Sequence, residues 1–142
     1  MAVRMARLTW PLDVVEERAA LVPVPLAASR QRQRGYNQSE CLARALAVSW
    51  GVPVRTDVLE RARETQTQTR LSPEERIRNV RGAFRALPAA RTGLGGAHVV
   101  LVDDVVTTAA TLNACAGALH AAGVRIISCV TFGRAPALGD RI

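Results

Sequence analysis

The stretch Val99-Val100-Leu101-Val102-Asp103-Asp104-Val105-Val106-Thr107-Thr108-Ala109-Ala110-Thr111 decides the fold of this 142-residue chain. Four consecutive apolar residues read as a strand buried on both faces, the pattern of a parallel sheet. Two carboxylates follow at its carboxyl end, then a short loop of small and hydroxyl residues, then a helix. In an open α/β sheet this is the crevice end, where ligands bind. Carboxylates only accept hydrogen bonds, so Asp103 and Asp104 suit the hydroxyls of a sugar. Backbone N–H groups converge at a helix start, and the helix dipole favours an anion there. Thr107, Thr108, Ala109, Ala110 and Thr111 therefore suit a phosphate. A diol site beside a phosphate site describes a ribose 5-phosphate. The alternative is an ordinary buried strand followed by an acidic helix cap.

Working outward, strands and helices alternate. Residues 13–20 read as helical and residues 20–24 as a first strand, ending in Pro23-Val24-Pro25. Residues 25–35 read as a loop carrying Arg30, Arg32 and Arg34. Asn37, with Glu40 three residues on, makes a capping pair for a helix running to Trp50, and Gly51 stops it. Residues 52–59 form a second strand region. Residues 61–70 are polar and without periodicity, so they read as a mobile loop. Ser72-Pro73-Glu74-Glu75 is a helix start, with a Ser cap, Pro in the first position and Glu to close the box. That helix reaches about Val80. Residues 83–87 form a third strand, residues 88–96 a turn-rich linker and residues 97–102 the motif strand. Leu112, Cys115, Ala116 and Leu119 give the next helix an apolar stripe, ended by Gly123. Residues 124–132 form the last strand. Strands separated by helices imply an α/β fold, a parallel sheet with helices on both faces. The expected organisation is an N-terminal, partly helical segment over residues 1–19 and one domain over residues 20–142.

Composition agrees. Hydrophobic residues make up 49% of the chain, enough for a folded core, while aromatics are only 4%, so Val, Leu, Ile and Ala must fill it. No apolar run approaches the roughly 20 residues of a membrane span, and residues 1–10 lack the apolar centre of a signal peptide. The cytoplasm is the expected compartment. The net charge is +7 and the 19 basic residues are all Arg, a surface suited to polyphosphates or nucleic acid. Cys41, Cys115 and Cys129 lack metal-ligand spacing and read as small core hydrophobes. His98 and His120 flank expected elements and read as surface or capping residues.

The stretch that opens the chain's reading resembles the phosphoribosyl-pyrophosphate (PRPP) motif of type I phosphoribosyltransferases: apolar strand, acidic pair, then Thr-Thr-Gly-x-Thr. The resemblance makes Asp103 and Asp104 the ligands of the ribose hydroxyls, and Thr107, Thr108, Ala109, Ala110 and Thr111 the cradle of the 5′-phosphate. The family's usual Gly is Ala109 here. If that position needs positive φ, Ala is strained by roughly 1 kcal/mol or more. If it serves close approach, the Ala methyl crowds the phosphate.

Three further segments are similar to the ComF (GntX) subfamily. Val22-Pro23-Val24-Pro25 precedes RQRGYNQSE, residues 32–40. Then come Arg61-Ala62-Arg63-Glu64-Thr65-Gln66-Thr67-Gln68 and Arg76-Ile77-Arg78-Asn79-Val80-Arg81-Gly82-Ala83-Phe84. The match runs over residues 21–134. It implies a type I phosphoribosyltransferase-like sheet with helices on both faces. It also implies PRPP as ligand, Mg²⁺ entering with PRPP, and no direct protein ligand for the metal. Arg34, Arg61, Arg63, Thr65 and Gln68 become the pyrophosphate-binding and flexible-loop residues. Tyr36, Asn37 and Gln38 either build part of the acceptor pocket or cap the helix. Typical ComF proteins also carry an N-terminal cysteine-rich zinc segment. The first Cys here is Cys41, so no zinc is expected.

No residue stands out as a general base. Purine-salvage relatives carry an Asp where Thr107 stands, which argues against 6-oxopurine substrates and leaves the acceptor open. Two functions stay in view. One is a phosphoribosyltransferase. The other is a non-catalytic competence factor that uses the PRPP fold for nucleotide sensing or partner binding in DNA uptake. A competence-protein partner and a homo-oligomer are both compatible. Direct single-stranded DNA binding has less support, because such platforms stack bases on aromatic side chains and few are present.

Overall fold

The computed structural model describes residues 1–9, 16–65 and 71–135. Its centre is a parallel sheet of three strands in the order β1-β4-β5. These are β1 (Arg18–Pro23), β4 (His98–Val106) and β5 (Ile126–Arg134). Leu21 lies opposite Val100, and Leu101 opposite Cys129. The run Val99 to Val102 is fully buried because it is the central strand and both of its faces are covered.

Side chains alternate across that strand. Val99 and Leu101 join one cluster with Leu112, Cys115 and Leu119 of α6 (Ala110–Ala121). Val100 and Val102 join another with Leu42, Ala43 and Leu46 of α3 (Gln38–Trp50) and Met5 of α1 (Ala2–Met5). Burying each such Val or Leu contributes roughly 1.5–3 kcal/mol. Helices therefore cover both faces of the sheet, as the sequence pattern requires.

The remaining elements lie around this three-layer centre, the helix Pro73–Val80 and the strand Phe84–Ala86 packing against α6. Helix α2 (Ala28–Arg34) follows β1, and Gly35 ends it at φ +79°. Strands β2 (Leu59–Arg61) and β3 (Phe84–Ala86) form an antiparallel ribbon of their own. Helix α4 (Pro73–Val80) lies between them in sequence, and its Ser72–Glu75 capping box is complete. Helix α5 (Pro88–Leu94) leads into β4.

Several expectations need correction. The helix expected to reach residue 20 gives way at Arg18 to β1, whose next residues Ala20 to Val22 are needed in the core; residues 13–15 lie outside the described residues. The arginine loop after β1 is helix α2, which buries no residue and so carries no apolar stripe to reveal it. The second strand region reduces to a single parallel bridge between Val54 and Leu21 and the short strand β2. Residues 88–94 are a helix with Pro at its start and Ala90 and Leu94 buried, too short to show periodicity. Of the cysteines only Cys115 is buried; Cys41 and Cys129 are exposed. His98 is buried, with Nε2 2.8 Å from Ser128 Oγ, because β4 starts there between two neighbours. His120 does sit at the end of α6, its Nδ1 3.3 Å from the Val124 carbonyl. No described helix is long and apolar enough to cross a membrane.

Candidate functional site

A cleft of about 400 Å³ opens at the carboxyl end of the sheet. Asp103 and Asp104 line one wall, together with Thr107, Ala109, Ala110 and Thr111. Arg30, Arg34 and Arg61 line the cleft too, with Asn37, Gln38 and Ser39. Acidic, hydroxyl and basic groups from three distant segments thus meet in one place.

β4 runs past the apolar stretch to Val106, so both acids are strand residues. Asp103 Oδ1 accepts from Ser39 Oγ at 3.0 Å and from the Asp104 N–H at 2.9 Å. Asp104 Oδ1 accepts from the Val105 N–H at 2.8 Å. Burial pushes the Asp103 carboxyl up to about 6, against the pull of the Ser39 and Asp104 donors; the Asp104 charge adds to the rise.

The loop after β4 turns through Ala109, at φ +60° and ψ +9°. Among the described residues it is the one non-glycine with positive φ. Of the two roles open for that position, the structure has the left-handed backbone, which an Ala side chain disfavours by about 1–2 kcal/mol. Helix α6 then starts with no side-chain cap and no acid in its first turn, so its first amides face the cleft side uncovered by protein carboxylates. Thr108 stands apart from its neighbours: it is not part of the cleft lining, and its Oγ1 is buried with no partner among the described residues.

The basic side is uneven. Arg61 is half-buried, its guanidinium 5.0 Å over the Phe84 ring, and Nη2 donates to Thr65 Oγ1 at 2.8 Å. Its Nε is buried with no acceptor among the described residues. Burial, then the neighbouring Arg30 and Arg63 charges, lower its pKa, while Cys115 and Asp103 oppose them. Arg30 reaches the Thr65 carbonyl at 3.4 Å, so Thr65 joins α2 to the segment after β2. Arg63 turns elsewhere. It donates to the Asn79 and Arg81 carbonyls at the end of α4, at 2.9 and 2.7 Å, and it is absent from the cleft lining. Gln68 lies outside the described residues.

Tyr36 is exposed and does not line the cleft. Asn37 caps α3, its side chain accepting from the Ser39 N–H at 3.1 Å and donating to the Val24 carbonyl at 3.0 Å. Glu40 does not close a capping box; it pairs with Arg44 one turn on, at 2.7 Å. Ser39 was not singled out by its sequence. Its signal was available only as a serine within the first turn of a helix that starts beside the acidic strand end.

Magnesium prefers oxygen donors and usually keeps several waters while binding through substrate phosphates. Among the described residues no group of three or more His, Cys, Asp or Glu could hold a metal by itself. A cleft lined by Asp, Ser and Thr oxygens fits an ion carried by a ligand's own oxygens and water.

Residues 33–141 match the family described as phosphoribosyl transferase domain. The chain belongs to that family. Its similarity to individual proteins narrows the branch. It is 38% identical over 127 residues to Competence protein F of Haemophilus influenzae, covering 89% of this chain and 54% of that protein. It is 40% identical over 111 residues to DNA utilization protein YhgH of Salmonella typhimurium, covering 78% and 45% respectively. It is 31% identical over 94 residues to Competence protein ComFC of Bacillus subtilis, covering 66% and 35%. The chain spans about half the length of the first two of these relatives. With the motifs of residues 21–134, these similarities place the chain in the ComF branch of the family.

Proposed function

We propose that the cleft binds PRPP together with Mg²⁺, and that the chain transfers or recognises a phosphoribosyl group. The supporting observation is one juxtaposition: the acidic pair and the phosphate-type loop line the same cleft, and three arginines face them. Asp103 and Asp104 accept hydrogen bonds from the ribose hydroxyls. The amides of this loop and the hydroxyls of Thr107 and Thr111 hold the 5′-phosphate; the Thr108 hydroxyl, buried outside the cleft lining, does not. Arg30, Arg34 and Arg61 offer charge-assisted donors to the diphosphate. Arg63 is the family-type residue that the geometry supports least, because α4 carbonyls already hold it. Asn37 acts as a helix cap, and Gln38 remains in the cleft for an acceptor.

The names of the relatives, competence and DNA utilization, suggest the setting. In that setting the phosphoribosyl site works beside a protein partner in the use of incoming DNA. Tyr36 and Phe132 are the exposed aromatics among the described residues, too few to favour a base-stacking platform. A non-catalytic version draws on Ala109, whose strained backbone sits where the phosphate must be gripped tightly for turnover.

The test is calorimetric titration of PRPP with Mg²⁺ into the chain and into Asp103→Asn/Asp104→Asn. Saturable binding that the double variant loses is the expected result. Equal binding by both would remove the ribose site from this cleft. Release of pyrophosphate with a panel of nitrogen nucleophiles then separates an enzyme from a sensor.

A further inference from the structure

The hydrogen bonds around the acidic pair form a chain that begins outside the site. The Val24 carbonyl, just past β1, accepts from Asn37 Nδ2. Asn37 Oδ1 accepts from the Ser39 N–H. Ser39 Oγ donates to Asp103 Oδ1. Ser39 is 4% exposed and Asn37 9%, so water does not compete at either link. Both Ser39 groups are used, and its position on the helix is locked by the cap. Oδ1 is thus taken by Ser39 and the Asp104 N–H, while Asp103 itself lines the cleft. The N-terminus of α3 adds a favourable field for a negative charge at this point.

We propose that Ser39 is a positioning residue for the ribose site: it fixes Asp103 through Oδ1 so that Oδ2 faces the sugar diol in its ionised, acceptor-only form. This rests on the reading of the cleft as a ribose 5-phosphate site. A carboxylate free to rotate, or carrying a proton, loses an acceptor lone pair to the wrong direction or presents a donor to another donor. The surroundings make that danger real. Asp104 adds like charge from the same strand. Cys115, buried on α6, lies near as a neutral thiol held up by burial and by the Asp103 charge, and the Asp103 charge pushes the Cys129 thiol on β5 the same way. Arg61 on β2 contributes opposite charge. Against these, Ser39 reaches Asp103 with a side-chain donor at 3.0 Å.

Two measurements test this on the intact chain. The first needs no ligand: the carboxyl carbon of Asp103 is followed by NMR through a pH titration of the parent, Ser39→Ala and Ser39→Thr. A donor to the charged form lowers a carboxyl pKa, so its loss raises the midpoint. An upward shift in Ser39→Ala, restored by Ser39→Thr, is expected. An unchanged midpoint overturns the proposal whatever the cleft binds. The second is PRPP–Mg²⁺ calorimetry from pH 5 to pH 8. Ser39→Ala should weaken binding about tenfold at neutral pH, with the acid-side loss moving to higher pH. If Asp103→Asn abolishes binding while Ser39→Ala leaves affinity and pH profile unchanged, Ser39 is only a core serine and the proposal fails. If Asp103→Asn binds as the parent does, the ribose reading itself fails, and Ser39 has no ribose site to position.

Discussion

The two ends of β4 are built on opposite terms. At the amino end, His98 to Val102 are buried, packed on both faces, and His98 has Ser128 across the strand. At the carboxyl end, Asp103 and Asp104 are half-buried carboxylates side by side, and Ala109 holds a left-handed backbone three residues past the strand. One end lowers the free energy of the fold. The other stores electrostatic and conformational strain that the first end must offset. The lesson is local: the buried core and the candidate site share one strand but not one set of residues.

That contrast can be broken or sharpened by substitution. The largest effect belongs to the amino half. Leu101→Ala should lower stability by about 2–5 kcal/mol in chemical denaturation, because Leu101 is fully buried and its removal leaves a cavity. A loss below 1 kcal/mol would mean that this strand is not the core.

Asp103→Asn should act in the reverse direction on stability while removing the ligand. The folded-state pKa of Asp103 is raised to about 6 from an ordinary 3.8. The native state therefore binds this proton more tightly than the unfolded state does between those values. Stability from this group is fully present below the lower value and is lost as pH rises through the upper one. Asn should thus stabilise the chain at pH 7.5 by on the order of 1–3 kcal/mol and by much less at pH 4. Thermal melts at the two pH values check it. A destabilised variant at pH 7.5 would show that Asp103 carries fold stability like its neighbours upstream.

Ala109→Gly removes the positive-φ strain but adds backbone freedom to the unfolded chain. The net should be a gain of about 1 kcal/mol or less, with tighter PRPP binding. Destabilisation would show that the Ala methyl packs usefully at the turn. Arg63→Ala sharpens the boundary of the site. Since Arg63 holds the end of α4, PRPP affinity should stay within about twofold of the parent, while amide exchange quickens around Asn79 and Arg81.

Much of this architecture is visible in the bare sequence where one physical rule acts alone. Four apolar residues followed by two acids specify both the buried strand and the crevice end. Ser72 to Glu75 specify a helix start that the structure has atom for atom. The reading weakens where tertiary context decides. Helix α2 buries nothing and has no period to detect. Residues 52–59 look like a strand, yet only Val54 bridges β1. Cys129 looks like a core residue from its apolar neighbours, but it lies on the edge strand β5 and is exposed. In the site, spacing marks the acids and the small-residue loop that follows them. It cannot show that Ser39, more than sixty residues away in sequence, donates to Asp103, nor that Arg63 turns toward α4 instead of the cleft.

The most direct measurement compares ribose 5-phosphate with 2-deoxyribose 5-phosphate by calorimetry on the parent chain. If the acidic pair holds the sugar diol, losing the 2-hydroxyl leaves a carboxylate acceptor unfilled. The deoxy sugar should then bind at least about tenfold more weakly. Equal affinities for the two sugars would contradict diol recognition by Asp103 and Asp104, and with it the reading of the cleft.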